Sequence, residues 1–310
     1  MTKNSPSPSQ HYDAIIIGGS FAGLSAAVYL ARARRSVLVI DAGQPRNRFA
    51  AQSHGFFAQD GSSPKAMIQT AREQVAAYPT VTFTDGVAAD AWKEDGRLTV
   101  ALEDGTLHSG ARLLLAFGLS DVLPDIPGLA ERWGQSVIHC PYCHGYEFSD
   151  KKLGVLQLSP VSQHQALLIA QWGPTTFFLN GGPTPEDGVL QQFRQHGVVI
   201  KNRSIAALVG SGKNLSQVEL DDGDTLPLDA LYIGPKHYLN SPIAEQIGCK
   251  LNDGPFGPSI AVDDMKMTSV PDVFAAGDIA RGGGHTVTFA SSDGVMAGLA
   301  IHRSLASGAS

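Results

Sequence analysis

The chain has 310 residues, 43% of them hydrophobic and 17% charged, with 34 glycines and a formal net charge of −6. It is long enough for one large core or two domains of ordinary size, in a soluble α/β protein rich in tight turns. The acidic balance argues against a general nucleic-acid or membrane-surface binder, and no apolar run approaches the roughly 20 residues that span a bilayer.

Met1 to Gln10 is polar, rich in Ser and Pro, and lacks the apolar stretch of a signal peptide, so it reads as a disordered tail. With only three cysteines, this points to a reducing, cytoplasmic setting. Asp13 to Ile17 is a short apolar run, followed by Gly18-Gly19-Ser20-Phe21-Ala22-Gly23 and an alanine-rich helical stretch, Leu24 to Ala33. Ser36 to Ile40 then reads as a strand ending in Asp41. Such a β-turn-α-β unit is built for a dinucleotide: Gly18 permits the tight turn, Gly23 permits close helix–sheet packing, and the helix N-terminus faces a pyrophosphate. Asp41 would take a ribose hydroxyl. Ser20 stands where the middle glycine of the fingerprint falls, which leaves open a plain βα turn without a ligand.

The loop from Gly43 to Gly61 carries Asn47 and His54 and is long for a compact domain, as functional loops tend to be. Ser63 caps a helix with Pro64 at its first position and Met67, Ile68, Ala71 and Val75 on one face. Val81 to Thr84 is a strand. Leu98 to Leu102 and Thr106 to Leu107 make a hairpin about Asp104-Gly105, and Arg112 to Ala116 is an apolar strand ending at Phe117-Gly118.

Cys140-Pro141-Tyr142-Cys143-His144-Gly145-Tyr146-Glu147 follows. A Cys-x-x-Cys pair can be a redox dithiol, half of a zinc site, a haem attachment point when a histidine follows, or two structural cysteines. Zinc needs four ligands, and Cys249 is the sole cysteine left, so no metal is expected. Haem attachment goes with export, for which there is no signal. The redox dithiol is the leading reading.

The second half repeats the plan of the first. Leu153 to Leu158 is a strand, Ser162 begins a helix to Trp172, Thr175 to Leu179 is a strand, and Thr184 caps a helix opening Pro185-Glu186-Asp187. Val218 to Leu226 echoes Val100 to Leu107, and the apolar strand Ala230 to Ile233 ends at Gly234 as its counterpart ends at Gly118. This is an internal duplication with unequal chemistry. In place of the glycine-rich turn stands Leu158-Ser159-Pro160-Val161-Ser162-Gln163, and the next strand ends in Asn180-Gly181-Gly182, with neither an acid for a ribose nor an arginine for a 2′-phosphate. Near the C-terminus a buried strand delivers Gly277-Asp278, and Gly282-Gly283-Gly284-His285 leads into a last helix. Cys249 reads as a buried structural thiol and Trp133 as packing.

Taken together, the Gly18–Gly23 turn, Ala116-Phe117-Gly118, Cys140–Gly145 and Val273–Asp278 resemble, in this order, the low-molecular-weight thioredoxin reductase family of FAD proteins, from about Tyr12 to Leu305. The resemblance implies an α/β fold of two Rossmann-like, three-layer nucleotide-binding-type domains, the second inserted in the first. FAD would lie in 1–118 plus 247–310, the dithiol in 119–246, and the protein would be a homodimer. By the same resemblance Gly18, Ser20, Phe21 and Ala22 match the turn at the FAD pyrophosphate, Asp41 the adenosine-ribose acid, and Asn47 and His54 the loop along the cofactor. Phe117 replaces a usual threonine, Gly277 and Asp278 match the ribityl or pyrophosphate contact, and Thr286 and Val287 match the turn facing the flavin pyrimidine. Cys143 matches the thiol against the flavin, Cys140 the thiol that meets the substrate disulfide, and His144 stands where an aspartate usually moves the proton. Loss of the NADPH turn and arginines implies a thiol–disulfide oxidoreductase fed without NAD(P)H. Its partners would be a thioredoxin-like protein or a small dithiol or disulfide, with ferredoxin, another flavin or oxygen as donor or acceptor. A dithiol oxidase using oxygen and a non-catalytic FAD redox sensor are the alternatives.

Overall fold

The computed structural model describes residues 11–307, so the tail expected over Met1–Gln10 lies outside the described residues. The chain divides into two compact units, one of Met1–Arg46, Lys65–Ser120 and Tyr238–Ser310, the other of Asn47–Pro64 and Asp121–His237.

The first unit is built on β1 (His11–Ile17), α1 (Phe21–Arg32), β2 (Val37–Asp41), α2 (Pro64–Ala76), β3 (Val81–Asp85), β4 (Ala88–Glu94), β5 (Arg97–Leu102) and β6 (Leu107–Leu115). Its sheet runs β3-β2-β1-β6-β5-β4, and Val273–Ala275 adds itself in parallel beside β6. β1, β2, β3 and β6 are mutually parallel, which explains the unbroken apolar runs Ala14–Ile17, Val37–Ile40 and Leu113–Leu115: both faces of a parallel sheet are covered there. Along β1 the side chains alternate between two cores. Ile15 and Ile17 pack with Leu38, Ile40, Leu113 and Leu115. Ala14 and Ile16 pack with Leu24, Ala27, Leu30, Val37 and Val39. The last helix, Val287–Ser307, lies along α1, and the fit is close because both helices are lined with small residues. A Cβ at Gly298 would sit 3.0 Å from the Ala26 carbonyl oxygen.

The second unit repeats this order. Its parallel sheet runs Val199–Lys201, Thr175–Phe178, Leu153–Leu156, Ala230–Tyr232 and Val137–Ile138, with Val161–Ile169 as the counterpart of α1. An antiparallel sheet of Ile205–Ser211, Asn214–Leu220 and Thr225–Pro227 matches the β4–β6 region.

Several local expectations differ from what forms. β6 is one nine-residue strand, where the sequence suggested a short hairpin arm and a separate apolar strand. In the second unit the equivalent path is interrupted after Pro227, which has no amide to give to a ladder. β4 was not anticipated, because Ala-Ala-Asp-Ala-Trp-Lys-Glu has little β-propensity or alternation; it forms as the antiparallel partner of β5. The helix expected from Pro185 begins at Asp187, with an extended Glu186 as its cap.

The division also departs from the expected 1–118 plus 247–310 and 119–246. Residues 47–64 group with the second unit. There Gln135 Nε2 reaches the Phe49 carbonyl at 3.4 Å, and the segment is closed on itself by Ser53 N donating to Ser62 O at 2.8 Å. Residues 238–246 group with the first unit. Asn240 Nδ2 donates to the Phe117 carbonyl at 3.1 Å, and Ile243 and Ala244 are buried in the core beneath β1 and β6.

Candidate active site

The end of β1 in the first unit is shaped for close backbone approach. Gly18 has φ +111°, and a Cβ there would collide with the Ala116 carbonyl. Its amide donates to Ile40 O at 2.8 Å, and the Gly19 amide donates to Asp41 Oδ1 at 3.0 Å, which pins the turn to the tip of β2. Ser20 is the N-cap of α1 with extended backbone, yet its side chain makes no capping hydrogen bond and the first turn carries no acidic residue. The helix therefore opens at Phe21 and Ala22 with backbone donors that no side-chain cap among the described residues takes up, a place suited to an anion. Asp278 follows Gly277 (φ +81°) and opens a short 3-10 turn, where its Oδ2 accepts from Arg46 Nη1 at 2.9 Å. The start of the last helix is held from both sides. The Thr286 hydroxyl accepts from the Phe289 amide at 3.2 Å. Arg281 forms a two-pronged pair with Asp293 at 2.6 and 2.8 Å, and Lys266 Nζ meets Asp293 at 2.7 Å.

The equivalent turn in the second unit is closed by its own side chain. Ser162, 2% exposed, accepts the amide of Leu158 at 3.1 Å and that of Ser159 at 3.4 Å. By position Leu158 and Ser159 correspond to Gly18 and Gly19, whose amides are taken by Ile40 O and Asp41 Oδ1. At the tip of the next strand, a Cβ on Gly182 would lie 2.8 Å from Gln157 Nε2, and the Asn180 side-chain carbonyl accepts from the Ile205 amide at 3.1 Å. Duplicated backbone is kept, and the ligand face is filled by Gln157, Ser162 and Asn180.

Also in the second unit, Cys140 and Cys143 are joined as a disulfide. Cys140 caps the one-turn helix Pro141–His144, its sulfur accepting from the Cys143 amide at 3.2 Å. Gly145 is required next, because a Cβ there would run into the Pro141 carbonyl and lie 3.0 Å from the Trp172 ring. His144 is half-buried, and burial lowers its pKa; Glu147 opposes this shift and His54 adds to it. His54 Nε2 lies 3.3 Å from Glu147 Oε1, its Nδ1 lies 3.6 Å from Asp60 Oδ1, and its ring meets the His144 ring edge-on at 6.1 Å. His54, His144 and Glu147 each present a polar atom within 4.8 Å of the others. Beneath them the Tyr232 hydroxyl is buried without a hydrogen-bond partner, and desolvation first, then the Glu147 charge, pushes its pKa far up.

The sequence profile described as pyridine nucleotide-disulphide oxidoreductase matches residues 12–168 and 179–294. The chain belongs to this family. Within it, the chain is 34% identical to the thioredoxin reductase tcpT of Claviceps purpurea over 88% of each chain. It is 31% identical to the thioredoxin reductase sirT of Leptosphaeria maculans, over 94% of this chain and 93% of that one. The crystal structure of an oxidoreductase from Agrobacterium tumefaciens superposes with TM-score 0.91 at 44% identity, over 96% of this chain and 99% of that one. The protein is thus a thioredoxin reductase-like flavoprotein with two Rossmann-like domains, and its cofactor is FAD.

The first unit fits that cofactor. The open α1 N-terminus suits a pyrophosphate, and Asp41 keeps acceptor capacity for a hydroxyl beyond the Gly19 amide, since a carboxylate offers about four lone-pair sites. Gly18, Ser20, Phe21, Ala22 and Asp41 share one end of this unit's sheet, while Gly277 and Asp278 follow the neighbouring strand Val273–Ala275, Phe117 follows β6, and Thr286 and Val287 open the last helix. Asn47 and His54, expected with them, belong to the second unit, where His54 stands against His144 and Glu147. Sequence reasoning passed over Arg46 and Glu147. Arg46 stood in a basic run and Glu147 inside the dithiol motif, so position was available as a signal while the partner across the fold was not. In this oxidoreductase Cys249 is buried against Thr268, burial raising its pKa, and Trp133 is packed in the second unit's core.

Proposed function

We propose that the protein is an FAD-dependent thiol–disulfide oxidoreductase that passes electrons between flavin and a substrate disulfide through Cys140 and Cys143, without NAD(P)H. The observation that carries the reading is a Cys-x-x-Cys disulfide closed directly before a histidine that burial favours in its uncharged form. FAD, when bound, supplies the two-electron couple that opens or closes the Cys140–Cys143 bond.

The chain's own groups do the rest. The Cys143 amide on Cys140 Sγ favours a thiolate at Cys140 once the disulfide opens. His144 takes the Cys140 proton as that thiolate forms; the thiolate attacks one sulfur of a substrate disulfide and expels the other as a thiolate, to which His144 returns the proton. Cys143 then attacks Cys140 Sγ, re-forming the intrachain disulfide and releasing the second substrate thiolate. In reverse, the same steps oxidise a substrate dithiol, with oxygen or another acceptor drawing the electrons away. Relatives called thioredoxin reductases favour a thioredoxin-like protein disulfide as substrate, and a small disulfide or dithiol suits the same chemistry. Independence from NAD(P)H is supported by the lost glycines of the second turn, where Leu158 and Ser159 are held by the Ser162 hydroxyl and Gln157 crowds Gly182.

The test is the anaerobic visible spectrum of the flavin-loaded protein. Bleaching by a dithiol with no bleaching by excess NADPH is the expected result. Rapid bleaching by NADPH would refute nucleotide independence, and failure of every dithiol and disulfide to exchange with Cys140–Cys143 would refute the reading as a whole.

A further inference from the structure

Thiol–disulfide exchange moves two protons. A substrate dithiol meeting the Cys140–Cys143 disulfide must lose a proton from each sulfur as it attacks, and the two protein sulfurs finish as thiols; in the opposite direction two substrate thiolates must be protonated. A single half-buried imidazole carries one proton at a time. The second unit, however, holds a second imidazole, His54, against the one that follows the dithiol.

We propose that His54, oriented by Glu147, is a second proton carrier for the dithiol centre, so that His144 and His54 each handle one of the two protons. The proposal rests on the thiol–disulfide reading above and adds to it a residue that the sequence placed on the cofactor loop. Its first support is geometry. Glu147 Oε1 stands 3.3 Å from Nε2, placed to orient the ring as a carboxylate does for a working imidazole. Asp60 stands at 3.6 Å from Nδ1 and is itself held by the Gly55 amide at 2.8 Å. The His54 ring meets His144 edge-on, and the polar atoms of His54, His144 and Glu147 lie within 4.8 Å of one another, a gap one water spans.

The second support is that the loop presenting His54 is built to hold it. Ser53 N donates to Ser62 O at 2.8 Å and Gly61 N to Ser53 O at 2.9 Å, closing 53–62 into a pinned turn. The third is the disposition of charge. The charged and titratable groups facing His144 are His54 and Glu147; those facing His54 are Glu147, Asp60 and His144; Tyr232, which faces Glu147, is kept as a neutral phenol by burial. Two carboxylates thus accompany two imidazoles, and a proton taken from a thiol on either ring is matched by a negative neighbour. In the oxidative direction the balance is one substrate dithiol and one protein disulfide giving one substrate disulfide and two protein thiols, with each carrier lifting a proton from an attacking sulfur and returning one to a leaving sulfur.

The experiment is single-turnover reaction of the flavin-loaded protein with dithiothreitol, followed across pH for wild type, His54→Gln and Glu147→Gln. The acid limb of the wild-type rate should fall with a slope of about two, and that of each variant with a slope of about one, with the rate at neutral pH reduced by about 10²-fold, as for loss of a general acid–base group. Added imidazole should restore part of the His54→Gln rate. Glu147 is exposed, and its amide replacement keeps the shape of the side chain, so it serves even if His54→Gln fails to fold. Variants with wild-type slope and rates within twofold of wild type would overturn the role of His54 and leave the exchange reading standing. A wild-type disulfide that no dithiol opens would overturn both.

Discussion

Ser162→Ala is the sharpest perturbation of the second turn. The hydroxyl is 2% exposed and accepts two backbone amides, at 3.1 and 3.4 Å. Removing it leaves one well-formed and one marginal hydrogen bond unmade. An unsatisfied buried amide costs about 1–3 kcal/mol, and the weaker bond adds little, so a loss of about 1–2 kcal/mol is expected. At roughly 2–4 °C per kcal/mol for a unit of this size class, the melting point of the second unit should fall by about 2–8 °C. Differential scanning calorimetry of the flavin-loaded protein, with near-ultraviolet circular dichroism to follow the second unit, measures this. Dithiol-driven flavin reduction should be unchanged, because Ser162 touches neither cysteine. An unchanged melting point would mean that the two amides have another partner. NADPH reduction of wild-type flavin would mean that the turn is open to nucleotide. The first result would refute the role of Ser162 as the cap of this turn, and the second would refute nucleotide independence.

Gly18→Ala should deplete the purified protein of flavin, read from the ratio of visible to ultraviolet absorbance. An alanine at φ +111° with its Cβ against the Ala116 carbonyl costs about 2–4 kcal/mol and displaces the turn. Asp293→Ala removes the partner of both Arg281 and Lys266 at a carboxylate 2% exposed. Loss of one member of a buried pair costs about 3–5 kcal/mol, and with Arg281 partly solvated the lower end applies, so urea midpoints should fall accordingly. His144, lowered first by burial, binds fewer protons folded than unfolded below its ordinary value of 6.5. Its contribution to stability is therefore complete above that value and is lost as pH falls towards the lower folded value. His144→Gln should flatten the pH dependence of the urea midpoint in that window, and equal slopes in variant and wild type would exclude the assignment.

The parallel core of each unit could be read directly, because strands covered on both faces are forced to be apolar throughout, and Ala14–Ile17 and Val37–Ile40 have no other way to be satisfied. β4 could not, since Ala88–Glu94 carries no signal of its own and forms only through pairing with β5. The same distinction runs through the site. Cys140, Cys143 and His144 are adjacent in sequence, so their chemistry is local and legible. His54 and Glu147 are brought together by a loop closure between Ser53 and Ser62 that alternation and capping rules do not register, and residue-by-residue matching sent His54 to the cofactor.

The two halves differ in what selects their turns. Gly18 is held by backbone geometry that only glycine meets, whereas the turn at Leu158–Ser162 is satisfied by a hydroxyl and needs no ligand to complete it. With a side chain holding the amides of the turn, residues other than glycine, Leu158 and Ser159, stand there in the second unit. On the proposed reading such a half keeps the sheet order of the duplicate and holds the dithiol.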